Sequence, residues 1–79
     1  MSEFQVSLAS IEEVRQFVNA ATRSSCEVDV LSGRYVVDGK SIMGLFSLDL
    51  SHPVTIRLHG SDGDQAAFRQ AVAAFVPAE

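Results

Sequence analysis

The sequence predicts an α+β fold, an open-faced β-sandwich in which a four-stranded antiparallel sheet carries three helices on one face and turns the other to water. Two observations predict it. Along the 79 residues the apolar positions switch between strand and helix periods in the order β-α-β-β-α-β-α. Each helical segment has a single apolar stripe and most strand segments are apolar on one face only, so laying every helix on the same side of one sheet covers each apolar surface once. A third observation sets the extent. No internal repeat, linker or low-complexity segment interrupts the chain, and residues 1–79 are expected to form one domain.

Phe4, Val6 and Leu8 alternate with Gln5 and Ser7, the period of a half-buried strand. Ser10 opens S-I-E-E, a capping box in which Glu13 can reach back to the Ser10 amide. Ile11, Val14, Phe17, Val18 and Ala21 follow at helical spacing, with Arg15, Gln16 and Asn19 on the other side. This helix is expected to end between Thr22 and Ser24, and Glu12 and Glu13 suit the positive end of its dipole. Cys26, Val28 and Val30 alternate with Glu27 and Asp29 as a second strand. Ser32-Gly33 marks a turn, and Tyr35-Val36-Val37 reads as a third strand paired to the second in a hairpin. After Pro53, Val54, Ile56 and Leu58 alternate with Thr55, Arg57 and His59, a fourth strand with one wet face. Gly60-Ser61-Asp62-Gly63 reads as a loop. A last helix is expected from about Asp64, with Phe68, Ala71, Val72 and Phe75 on one stripe and a stop at Pro77.

Between the hairpin and the fourth strand lies KSIMGLFSLDL, Lys40 to Leu50, an almost wholly apolar run opened by a lysine and a serine. It has two readings. Ser41 can cap a short helix that begins at Ile42 and buries Ile42, Leu45 and Phe46; alternatively, Ile42 to Leu50 is a buried strand. Gly44 argues weakly against both. The cap at Ser41 and the stop at Ser51-His52-Pro53 favour the helix, which leaves Met43 and part of Phe46 near the surface beside the serine hydroxyl.

Composition excludes several classes of function. The net charge is −4, and the six basic residues are scattered, so a nucleic-acid footprint is not expected. The single cysteine, Cys26, rules out an intrachain disulfide and a zinc site with the two distant histidines. Asp38, Asp49, Asp62 and Asp64 lack the spacing of a calcium loop. No metal or cofactor is implied. The segment MSEFQVS does not read as a signal peptide, and no apolar run approaches the roughly 20 residues that span a bilayer. No membrane association is expected, and the expected location is cytoplasmic.

Lys40-Ser41-Ile42-Met43-Gly44, followed by Phe46-Ser47-Leu48, resembles the second-helix signature of HPr, the histidine-containing phosphocarrier protein family of the phosphoenolpyruvate-dependent sugar phosphotransferase system. The downstream strand and Gly60-Ser61-Asp62-Gly63-Asp64 are similar to the same family, and the element order agrees along nearly the whole chain. The resemblance implies the open-faced sandwich reached above. It also implies that the family's regulatory serine, a kinase target in some bacteria, falls on Ser41. The family's catalytic histidine opens the first helix in a G-I-H-A-R-P pattern, and a gap-free count back from Ser41 puts it at Ser10, its arginine at Glu12 and its proline at Glu13. A serine ester holds phosphate too firmly for a relay, and Glu12 sets a negative charge beside an incoming dianion. The resemblance is therefore to a Crh-like member that lacks the catalytic histidine. It implies a non-catalytic protein of carbon catabolite regulation, whose partners are an HPr-type serine kinase and a transcription regulator. Glu12 also replaces the arginine that contributes to that regulator's interface.

The implied working surface is Ser41, the candidate phosphorylation site, with Lys40, Ile42, Met43 and Phe46 as partner-binding residues. Against this, Ser41 is explained as a cap alone, and Met43 and Phe46 as core filler. Ser10 is explained by the capping box. Cys26 reads as a small buried hydrophobe. An alternative function is a phosphocarrier that uses His59 or His52, although neither has a carboxylate or arginine partner at a suggestive spacing. A third is a structural or dimerising domain, and a monomer or weak homodimer is the expected state.

Overall fold

The computed structural model describes residues 2–77, so Met1, Ala78 and Glu79 of the expected domain lie outside the described residues. The elements are β1 (Ser2–Val6), α1 (Ile11–Arg23), β2 (Glu27–Ser32), β3 (Tyr35–Asp38), α2 (Ile42–Phe46), β4 (Val54–His59) and α3 (Asp62–Ala71), followed by a 3₁₀ turn, Ala73–Phe75. The four strands form one antiparallel sheet in the order β1-β4-β2-β3, with three helices as expected.

Strand register explains the one-sided core. Phe4 faces Ile56, Val6 faces Val54, Val28 faces Leu58, and Val30 lies between Ile56 and Val37. The alternating positions Glu3, Gln5, Glu27, Asp29, Thr55, Arg57 and His59 fall on the opposite, open face. Val14, Phe17 and Ala21 of α1, Leu45 of α2 and Phe68 of α3 close the core from one side. The Phe17 and Phe68 rings meet edge to face, 5.6 Å apart, and fix α1 against α3. Cys26 is fully buried within this core. Gly33, at φ 61°, supplies the left-handed residue that the two-residue hairpin turn requires. Among the described residues no helix is long and apolar enough to cross a membrane.

Several boundaries differ from the sequence expectations, each for a local reason. β1 ends at Val6, and Leu8 is buried beyond the strand as the chain enters α1. Cys26 precedes β2 rather than opening it. The stretch read as a loop before α3 is instead its start: Ser61 Oγ accepts from the Asp64 amide at 3.1 Å, and Asp62 already belongs to the first turn. A glycine after an acidic residue suggested a loop, but Gly63 sits in the first helical turn, where capping rather than propensity decides. The last helix does not carry its stripe to Phe75. It ends at Ala71, and the 3₁₀ turn brings Phe75 onto the core, its carbonyl accepting from the Ser7 amide at 2.7 Å. Ala71 is exposed.

Candidate functional site

The hairpin delivers the chain to α2 through a pinned turn. The Asp38 carboxylate accepts from the Lys40 amide at 2.9 Å, the Asp38 carbonyl accepts from the Ser41 amide at 3.0 Å, and the Gly39 amide donates to Val28 O at 2.7 Å. Ser41 then caps α2, its Oγ accepting from the Gly44 amide at 3.1 Å. The run from Ile42 is therefore a short helix rather than a strand. Gly44 has a packing reason: a Cβ there would stand 3.2 Å from the Cβ of Val37 and 3.3 Å from Ser41 Oγ, so the bare backbone lets α2 lie against β3. Leu45 is the one fully buried residue of α2.

The rest of this short helix faces outward. Met43 is 76% exposed and Phe46 43%, and Ile42 is only partly buried. Phe46 is thus more open than a core position, because five residues make little more than one turn and Leu45 alone points at the sheet. Ser41 and Lys40 are exposed. The chain leaves α2 through a second pinned turn, in which one oxygen of Asp49 accepts from the Ser51 amide at 3.0 Å and from the Ser51 hydroxyl at 2.6 Å. Those two hydrogen bonds, the hydroxyl's first, hold the Asp49 carboxyl below its ordinary range, and the nearby His52 adds to the effect.

At the head of α1, Ser10 Oγ accepts from the Glu13 amide at 3.1 Å. The return bond of the expected box goes elsewhere: Glu13 Oε1 accepts from the Ala9 amide at 2.6 Å, not from Ser10. Ser10 is exposed at the rim of a cleft of about 350 Å³, walled by Leu8, Ile11 and Val14 on one side and by Phe46 and Leu50 on the other. Ile11, read from the sequence as part of the buried stripe, is 69% exposed. It is the first residue of the helix, and its spacing from Val14 cannot reveal that exposure. The structure thus joins the apolar residues at the start of α1 to Phe46, while Lys40 borders a different cleft, over β2 and β3.

His52 follows Ser51 at the border of this face, whereas His59 stands apart from it. His59 lies at the end of β4 on the open side of the sheet, and its Nε2 is 2.9 Å from Asp29 Oδ2. It therefore does have a carboxylate partner, contrary to expectation. The two are 30 positions apart and meet only through the β2–β4 register. The neighbouring Arg57 is engaged by Glu3 at 2.8 Å.

A four-stranded antiparallel sheet in the order β1-β4-β2-β3 with three helices is the fold shared with solved phosphocarrier proteins. The family described as "PTS HPr component phosphorylation site" matches residues 13–78, and the chain belongs to the HPr phosphocarrier family of the phosphotransferase system. Among solved structures, the chain is 28% identical to the phosphocarrier protein HPr of Bacillus anthracis str. Ames, with a TM-score of 0.71 over 94% of this chain and 93% of that one. HPr-C-His of Thermoanaerobacter tengcongensis is 24% identical, with a TM-score of 0.75 over the same shares. A histidine-containing phosphocarrier protein of Mycoplasma is 19% identical, with a TM-score of 0.72 over 98% of this chain and 100% of that one. These two show the shared fold. No curated protein matches the chain significantly by sequence.

Proposed function

We propose that this HPr-family chain is a non-catalytic, Crh-like interaction protein that docks through the α1–α2 edge and is regulated by phosphorylation of Ser41. The observation that carries the first part is the head of α1. Ser10, where a gap-free count from Ser41 puts the family's histidine, has its oxygen committed to the Glu13 amide, and the Glu13 carboxylate already satisfies the Ala9 amide. An incoming phosphate dianion meets Glu12 and Glu13 in the first turn, and no imidazole is there to form a labile phosphoramidate. Docking is supported by the exposure of Ile11, Met43 and Phe46, an apolar group on one edge of a small protein.

Regulation at Ser41 is supported by access and charge. The hydroxyl is exposed at the start of α2, Lys40 precedes it, and α2 has no acidic residue in its first turn. In the modification, Ser41 Oγ would form a bond to the γ-phosphorus of ATP, lose its proton and release ADP, adding nearly two negative charges at the positive end of a helix. Incubation with the HPr-directed serine kinase and ATP tests this by intact mass. One added phosphoryl, absent in Ser41→Ala, is expected; no added mass removes the switch and leaves a docking module.

A second reading keeps the carrier role and moves it to His59, for which the Asp29 contact is the specific observation. That carboxylate orients the ring but repels a phosphoryl donor, and Arg57 is held by Glu3. Exposure to phosphoenolpyruvate and the general kinase of the phosphotransferase system, read as acid-labile phosphate, is expected to give no label. Label on His59 or His52 would reverse the assignment.

A further inference from the structure

The cleft at the head of α1 has apolar walls and a negative rim. Glu13 is hydrogen-bonded to Ala9 and Asp49 to Ser51, both of which border the cleft, and Glu12 directly follows Ile11. The chain's cations are mostly placed elsewhere. Lys40 borders the cleft over β2 and β3, Arg23 the one between α1 and α3, and Arg34 lies in the hairpin turn. Arg57 is held by Glu3, and Arg69 stacks over the Phe4 ring, 4.3 Å from its centroid. Arg15, one turn beyond Ile11, is the base nearest along the helix, and His52 is the neighbouring titratable group beside Ser51. Two carboxylates, Glu13 and Asp49, thus hydrogen-bond residues that border the apolar opening, with Glu12 adjacent in sequence and Arg15 the one guanidinium near it on α1.

We propose that this cleft receives an apolar side chain from a partner protein segment flanked by lysine or arginine. The proposal rests on the docking function above and specifies its partner. The apolar walls provide the anchor site, and the surrounding carboxylates select the sign of what flanks it. A second copy of the chain is a poor occupant. A two-fold contact through this face would set Glu12, Glu13 and Asp49 against their own equivalents, in a chain whose net charge is −4.

The test titrates the ¹⁵N-labelled full chain with two synthetic peptides that share a Leu-Phe centre, one flanked by Lys and Arg and the other by Glu and Asp. Amide shifts are expected at Ser10, Ile11, Phe46 and Leu50, with the basic peptide binding about tenfold tighter than the acidic one. The preference should shrink when salt rises from about 0.05 M to about 0.5 M. Glu12→Lys should narrow it. Phe46→Ala should weaken both peptides, and so should Ile11→Ser, which alters a residue 69% exposed and therefore spares the core. Equal or tighter binding of the acidic peptide at the cleft would overturn the charge selection while leaving docking at this edge intact. Shifts confined to the open sheet face, or none with either peptide, would overturn the proposal entirely. Acid-labile label on an imidazole would overturn the non-catalytic reading alone, and the peptide titration decides the docking proposal separately.

Discussion

The heads of α1 and α2 use the same cap and differ in nearly everything behind it. In each, a serine oxygen accepts from the amide three residues on, at 3.1 Å. α1 then runs for 13 residues, buries Val14, Phe17 and Ala21, and carries Glu12 and Glu13 in its first turn. α2 runs for five, buries Leu45 alone, and has no acid there. Packing therefore holds α1, with the cap as a supplement, and its dipole is already complemented by its own carboxylates. α2 is far below the length at which a helix is stable by itself, so it rests on one side chain and two pinned turns. The contrast separates a head closed to further negative charge from one still open to it.

The largest test of that contrast is Leu45→Ala. Truncating this fully buried side chain is expected to cost roughly 2–5 kcal/mol in urea denaturation, since it leaves a cavity and removes the one fully buried side chain of α2. Phe46→Ala, at a position 43% exposed, should cost well under half of that. Equal costs would mean that α2 is held by its outer face and that no surface is free for docking there.

Removing the caps sharpens the comparison at smaller scale. Ser10→Ala is expected to lower global stability by about 1 kcal/mol, because α1 melts only with the core. Ser41→Ala should cost less globally and show itself locally, as faster hydrogen exchange at the Gly44 and Leu45 amides. Adding charge separates the two heads by sign. Ser41→Asp keeps a good cap and should be neutral or stabilising by up to about 1 kcal/mol at low salt, whereas Ser10→Asp, beside Glu12 and Glu13, should be destabilising by a few tenths. A stabilising Ser10→Asp would break the comparison.

The fold was legible because each element carries its own signal. Val54, Ile56 and Leu58 alternate, Val14, Phe17 and Ala21 recur at helical spacing, and Ser10 and Ser41 announce the first two helices. The start of α3 was obscured because Ser61 and Gly63 are turn residues in isolation and helix-start residues only when the Asp64 amide reaches back. The candidate site was half legible. Lys40 to Phe46 is one segment and could be read as one, but the cleft joins Leu8 and Ile11 to Phe46 and Leu50 across a fold that spacing does not encode. Nor could periodicity show that Ile11, in phase with the buried Val14, is left open to solvent. The His59–Asp29 contact depends likewise on strand register.

The smallest effect concerns the turn that closes α2 on its far side. Asp49 has its carboxyl held below the ordinary range chiefly by the Ser51 hydroxyl and then by the Ser51 amide. A depressed folded-state value means that the carboxylate favours the folded turn at neutral pH, and that this contribution fades as pH falls through the ordinary carboxylate range toward the lowered value. Ser51→Ala removes the first of the two bonds and leaves the second, so the Asp49 titration followed by NMR should move up part of the way toward an unperturbed aspartate. Asp49 is exposed, and global stability should scarcely respond. What should respond is the exchange of the Ser51 amide below that range, together with the amides of Leu48 and Leu50 that the turn positions. If the titration does not move, the Asp49–Ser51 bond is not what holds the exit of α2. Its short run of helix would then depend on Leu45 even more completely than the contrast with α1 requires.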